Sequence, residues 1–182
     1  RDDGRILLWV DRHGAAMPVG APPRSYWNPR LSPQGDRIAT FLGQGGTTDI
    51  WTYDIPSGRL QKELNDGRSP TWTPDGTHLL IDRMALTSEV LSLRLDGSGF
   101  TEPITHSGRA RAAAFMTKDG RSLVFHEIGR TTGYDLMITE PGSNAPARPL
   151  VRTPQLEAGA RLHPGGRFVA YASNVTGRDD VF

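Results

Sequence analysis

The sequence of 182 residues contains no cysteine. That absence excludes disulfide staples, thiolate metal ligands and a cysteine nucleophile, and it suits a reducing or an oxidising compartment equally. An excess of charge of one sign is also missing, since 21 basic residues face 20 acidic ones for a formal net charge of +1. So balanced a surface has no broad field to gather phosphate backbones or anionic lipid, and nucleic acid is not expected as a partner. Lysine is nearly absent, with only Lys62 and Lys118, so arginine carries most of the positive charge. No stretch approaches the roughly 20 apolar residues of a membrane helix, so no membrane insertion is expected within this segment. There is no recognisable secretory leader, and a chain that opens at Arg1 reads as an excerpt or a processed product.

What the chain has in quantity is punctuation, with 21 Gly and 14 Pro. Such a composition favours short strands joined by tight turns over long helices. The punctuation is periodic. Ser32-Pro33-Gln34-Gly35, Thr73-Pro74-Asp75-Gly76, Thr117-Lys118-Asp119-Gly120 and His163-Pro164-Gly165-Gly166 each precede an apolar strand, at intervals of 41 to 46 residues. A period in that range is the mark of a propeller blade or a similar repeat array. Proline at the second turn position presets φ and glycine at the fourth relieves crowding, so the pattern is a turn with a physical cause. The third copy has Lys118 where the others have proline, which leaves its turn type open while keeping the blade.

The fold class expected is all-β, a propeller of four-stranded antiparallel blades with about four blades present, forming part of a larger ring. A closed four-bladed ring is the alternative, since propellers have roughly 4 to 8 blades. Residues 1–20 supply the outer strands of a partial blade, with a strand over 5–11 and a shorter one over 17–19. Blades follow at 21–64, 65–105 and 106–151, and a partial blade at 152–182. Within the first full blade the strands are expected at 27–31, 37–42, 49–55 and 59–64, with 43–48 as the loop between second and third. An excerpt of a ring would have unpaired blade edges, and these would favour self-association.

The residues at these positions resemble a known group. Leu31-Ser32-Pro33-Gln34-Gly35 with Asp49-Ile50-Trp51, and Trp72-Thr73-Pro74-Asp75-Gly76 with Glu89-Val90-Leu91, are similar to the blades of TolB-type, WD-repeat-like propellers. More narrowly, Leu8-Trp9-Val10-Asp11-Arg12-His13-Gly14, the run from Pro22 to Pro33, and Asp49-Ile50-Trp51-Thr52-Tyr53-Asp54 resemble the C-terminal propeller region of bacterial eukaryotic-like serine/threonine protein kinases. The resemblance implies an extracytoplasmic or periplasmic setting. No kinase chemistry lies in the segment, which lacks the glycine-rich phosphate loop, the His-Arg-Asp loop and the Asp-Phe-Gly metal motif.

Other chemistry is as sparse. Gly43-Gln44-Gly45-Gly46-Thr47-Thr48 lacks the last glycine of a dinucleotide loop and reads as a hairpin. The serine-nucleophile elbow Gly-x-Ser-x-Gly is missing. His13, His78, His106, His126 and His163 never fall at metal-ligand spacing, and no metal or cofactor is expected. The Trp, Phe and Tyr side chains on strands, including Trp9, Trp51, Trp72, Phe125 and Phe168, are expected as inter-blade core, with Trp27 the one expected to be exposed. Arg30 and Arg161 hold matching places in the innermost strands and are candidates for the central channel, where they would suit an anionic peptide or carboxylate. Thr71 and Phe115 hold the other two places, which breaks the ring and favours local ion pairs. Loops on one rim supply the remaining candidates, Gly45, Thr47, Thr87, Arg130, Thr132 and Arg178, because recognition is commonly placed on loops held by a rigid scaffold. The function expected is a non-enzymatic interaction or sensing module for a protein or peptide ligand, joined to a larger protein such as a bacterial kinase. The alternative is the accessory propeller of a serine peptidase or other hydrolase.

Overall fold

In the strand His78–Asp82, side chains alternate between two neighbours. Leu79 and Ile81 are buried with Ala39, Ile50, Trp72 and Leu93, while Leu80 is buried on the other face with Val90, Leu123, Phe125 and Met137. A strand flanked on both faces has to be apolar at successive positions, which is why His78-Leu79-Leu80-Ile81-Asp82 shows an apolar run rather than alternation. Each fully buried Leu or Ile contributes about 1.5–3 kcal/mol of burial, so the two clusters weld successive sheets face to face.

The computed structural model describes residues 4–44, 47–83, 89–105, 110–129, 133–163 and 167–182, with backbone alone at 44 and 110–114. Its described residues form strands and turns without helix. The strands β1 (Leu8–Val10) and β2 (Ala16–Pro18) pair as a two-stranded ribbon. Blade 1 follows as β3 (Tyr26–Leu31), β4 (Arg37–Gln44), β5 (Thr47–Asp54) and β6 (Arg59–Leu64). Blade 2 contains β7 (Arg68–Trp72), β8 (His78–Asp82), β9 (Leu91–Arg94) and β10 (Thr101–Pro103). Blade 3 contains β11 (Ala110–Met116), β12 (Leu123–Ile128), β13 (Tyr134–Thr139) and β14 (Arg148–Val151). Blade 4 has β15 (Glu157–Leu162), β16 (Val169–Ser173) and β17 (Asp180–Val181). Every sheet is an antiparallel meander in chain order, and the blades make a four-bladed β-propeller arrangement with β3, β7, β11 and β15 innermost.

The repeated turns seat each blade on the next. In blade 1 the Gly35 N–H donates to Ser32 O at 2.9 Å and the Ser32 N–H to Arg37 O at 2.8 Å. Thr73 and Gly76 repeat this in blade 2, and Thr117 and Gly120 in blade 3. Gly35, Gly76 and Gly120 all adopt φ near +75°, between 70° and 78°. The copy without proline therefore makes the same turn. Lys118 surrenders only a preset φ, while the glycine and the threonine hydroxyl retain the geometry. Between blades, Gln34 Nε2 donates to Asp75 O at 3.0 Å and Arg37 Nη2 to Gly76 O at 2.7 Å.

Three expectations need correction. The loop expected over 43–48 is shorter, because the ladder continues with Gly43 paired to Thr48 and Gln44 to Thr47. Strand Arg37–Gln44 therefore ends, and strand Thr47–Asp54 begins, two residues further into the hairpin than expected. The N-terminal strand is only Leu8–Val10, since Asp11 turns the chain by accepting the backbone N–H groups of His13 and Ala15 on its carboxylate. Finally, not all the aromatics are inter-blade core. Trp72, Tyr53 and Phe125 are buried, but Trp9, on the two-stranded N-terminal ribbon, is exposed and Phe168, just before the strand Val169–Ser173, is 63% exposed.

Candidate functional site: the axial cavity

The side chains that face the axis are selected by an irregularity that recurs in all four blades. The ladder between first and second strands shifts register between Trp27 and Arg30, Arg68 and Thr71, Arg111 and Phe115, and Ala158 and Arg161. These are β-bulges, which bend a strand and re-aim the residues after it. Three of them place a residue in the left-handed region: Asn28 at φ 47°, Ser69 at 52° and Gly159 at 64°. That conformation costs a non-glycine L-residue roughly 1–2 kcal/mol, least for Asn. The scaffold holds this strain at the axis.

Beyond the bulges, Arg30, Thr71, Phe115 and Arg161 occupy one register position, opposite Ala39, Leu80, Val124 and Ala170. The four line one cavity of about 380 Å³ together with Asn28, Ser69, Met116 and Leu162. The sequence match of Arg30 with Arg161 is thus a match in space. Trp72 ties blade 2 to the backbone of Arg30, its indole N–H donating to Arg30 O at 2.9 Å across the blade boundary.

The expected local ion pairs are not there. Arg30 Nη1 donates to Pro29 O at 3.1 Å and Arg161 Nη1 to Ala160 O at 2.7 Å, and neither arginine has a carboxylate partner among the described residues. The bulges turn both toward the axis, where the other blades present a threonine and a phenylalanine instead of acids. Partial burial lowers the pKa of Arg30, and the positive charge of Arg161 lowers it further. Both causes act against the charged form, so the pair is an electrostatic deficit that an anion would relieve.

A second cavity of about 300 Å³ shares Ser69 with the first and is lined also by Arg68, Asp82, His126, Tyr134, Ala158 and Gly159. Here the arginine is matched. Arg68 Nη2 lies 3.4 Å from Asp82 Oδ2, and Asp82 is only 2% exposed. His126 is buried, edge-on to Tyr134 with ring centroids 6.3 Å apart. Asp82 and His126 face the pre-bulge residues Arg68 and Arg111, the register position that Phe41 and Ala172 hold in blades 1 and 4.

Of the rim candidates, Gly45, Thr87, Arg130 and Thr132 lie outside the described residues. Thr47 is an exposed strand residue of β5, and Arg178 is an exposed side chain held by Asp180 at 3.1 Å. Trp27 is 43% exposed as expected, stacked on Phe41 and covered by the Arg5 guanidinium at 4.0 Å. His106 lies outside the described residues, and among those described no group of three or more His, Asp or Glu side chains is placed to hold a metal. What reading the residues alone missed is the bulge. Its signal was Asn28-Pro29 and Ser69-Pro70, prolines inside inner strands, a residue that sheets admit at bulges because it cannot donate to the ladder.

No protein-family model matches the chain. No curated protein matches it. Among solved structures, TolB from Acinetobacter baumannii superposes with a TM-score of 0.79 at 17% identity, covering 93% of this chain and 43% of that one. The fold is that of a TolB-like β-propeller. A second TolB-like propeller, the putative TolB from Agrobacterium tumefaciens, gives a TM-score of 0.60 at 20% identity over 80% of this chain and 60% of that one. The Pyrococcus horikoshii acylaminoacyl peptidase matches at 0.59 and 15%, over 93% of this chain and 32% of that one. The chain therefore spans under two thirds of the length of these similar proteins, and the likeness is one of fold.

Proposed function

We propose that this TolB-like propeller is a non-enzymatic interaction module that receives a segment of a protein or peptide ligand in the axial cavity. The observation that carries this reading is the set of bulges, which turn Arg30, Thr71, Phe115 and Arg161 into one shared cavity. Its volume falls in the range of ordinary ligand sites, and its wall mixes apolar side chains with a few polar ones. The rim candidates, Gly45, Thr47, Thr87, Arg130, Thr132 and Arg178, would then contact the remainder of the ligand outside the axis. Peptides selected from a random library on the immobilised protein test this directly. Their affinity should fall at least about tenfold for Thr71→Trp, which fills the cavity, and stay unchanged for Lys62→Ala on an outer strand. Selected peptides that bind Thr71→Trp as well as the unaltered protein would overturn the axial reading.

The residues around Leu8, Trp27 and Asp49 support attachment to a bacterial serine/threonine kinase, with the propeller as its sensing part. The acylaminoacyl peptidase among the similar structures supports the second reading, an accessory propeller beside a hydrolase. The full reading frame decides between them. Kinase motifs upstream favour the first, and a Gly-x-Ser-x-Gly segment downstream favours the second.

A further inference from the structure

The axial cavity has a chemical preference that its shape alone does not reveal. Arg30 and Arg161 approach it from opposite ends of the blade series, each spending one donor on the carbonyl just before it in the chain. A guanidinium has five N–H donors in a planar fork, so each retains donors suited to a two-oxygen acceptor. The remaining wall is largely apolar, with Phe115, Met116 and Leu162, and Thr71 and Ser69 contribute hydroxyls.

We infer that the axial cavity is a carboxylate-binding site, in which Arg30 and Arg161 hold the anionic group of a ligand whose apolar body lies against Phe115 and Leu162. This rests on the axial reading above and specifies its ligand. A carboxylate carried on an apolar body fits better than a bare phosphate because Phe115, Met116 and Leu162 stand beside the two arginines and would otherwise lie against water. Burial first and the like charge of Arg161 second depress the pKa of Arg30, and a bound carboxylate acts against both. The carboxylate could be the C-terminus of a chain or an acidic side chain, since both offer the same two oxygens.

Three probes separate these sources: an N-acetylated tetrapeptide of apolar residues with a free C-terminal carboxylate, the same peptide as its C-terminal amide, and an amidated version with one internal glutamate. Inorganic phosphate is the fourth. Binding is read from the arginine Nε–H signals by NMR, assigned with Arg30→Gln and Arg161→Gln. The free acid, the glutamate peptide or both should shift the Arg30 and Arg161 signals, with the pattern naming the source. Each single substitution should weaken that binding about tenfold or more, as loss of a charge-assisted hydrogen bond implies. The plain amide should bind weakly and equally to all variants.

An amide that binds as tightly as the acids, is indifferent to both substitutions and is blocked by Thr71→Trp would overturn the carboxylate inference and leave the axial reading standing. Phosphate binding more tightly than either acid would also overturn it. Absence of any binding, with Thr71→Trp likewise without effect on library-selected peptides, would end both. Thermal melts of the two glutamine variants check folding, and a unfolded Arg30→Gln is replaced by Arg30→Lys, which keeps the charge and should lose most of the bidentate gain.

Discussion

The two cavities along the axis are built from the same innermost strands and share Ser69, yet one leaves its arginines without acid partners among the described residues and the other pairs its arginine with a buried aspartate. The difference lies one bulge apart. Before the bulge, the blade 2 residue Arg68 faces Asp82 directly across the ladder, so charge is neutralised within one sheet. After it, Arg30 and Arg161 face Ala39 and Ala170, which offer nothing to a guanidinium. An internally satisfied charge contributes to holding the blade, whereas an unsatisfied one is available to a ligand. The comparison predicts that stability and binding should separate along the axis.

The sharpest break comes from Arg68→Ala, which leaves the Asp82 carboxylate buried without its cation. A loss of about 3 kcal/mol is expected, read as a lowered urea midpoint at constant slope. Arg30→Ala in the other cavity should change stability by no more than about 0.5 kcal/mol. Equal losses at the two sites would erase the distinction between a paired and an unpaired arginine.

The bulge itself comes next. Gly159 sits at φ 64° with open space where a Cβ would go, so Gly159→Ala adds backbone strain and no clash. It should cost about 1–2 kcal/mol. Ser69→Gly at the matching place in blade 2 should be neutral or slightly stabilising, within about 0.5 kcal/mol, since relieved strain offsets the entropy glycine brings to the unfolded chain. If Gly159→Ala proves harmless in a melt, the bulges are softer than their dihedrals imply and cannot aim side chains firmly.

These tests also mark what was readable from residues alone. The turns were, because Ser-Pro-x-Gly states its own backbone geometry, and with them came the blades and the matching register of Arg30 and Arg161. The exposure of Trp27 was readable from its proline-flanked position. The absence of ion pairs was not, because it depends on which residues stand across the ladder after a register shift. Nor was the extension of the ladder through Gly43 and Thr48, where cross-strand pairing carries β4 and β5 further into the hairpin. The pairing of Arg68 with Asp82 is separated by a turn and a bulge, and only the ladder brings them together.

A smaller effect follows from removing one of the two facing arginines. Arg161→Gln takes away a like charge that lowers the pKa of Arg30, so stability should be unchanged or higher by up to about 0.5 kcal/mol. The gain should shrink in high salt, where the repulsion is screened. A loss instead would mean that Arg161 has a stabilising partner, contrary to the unpaired state of this cavity.

The smallest expected effect concerns the carboxylates of the turns that follow the innermost strands, which pair with neither arginine among the described residues. Asp75 and Asp119 follow the innermost strands of blades 2 and 3, but each is held by its own turn. The Thr73 hydroxyl and the Thr77 N–H donate to Asp75, and the Thr117 hydroxyl and the Arg121 N–H donate to Asp119. These bonds, with the side-chain hydroxyl first, hold both carboxyls below their ordinary pKa. A folded pKa below the unfolded value near 4 adds stability above that pH, and the contribution is lost as pH falls through the folded values. Asp75→Asn with Asp119→Asn should therefore lower Tm slightly at pH 7 and progressively less below pH 4, until the two melting curves converge. A Tm difference that stays constant down to pH 2 would show that the loss does not come from the charge, since asparagine keeps an acceptor oxygen and differs in the amide group that replaces the second.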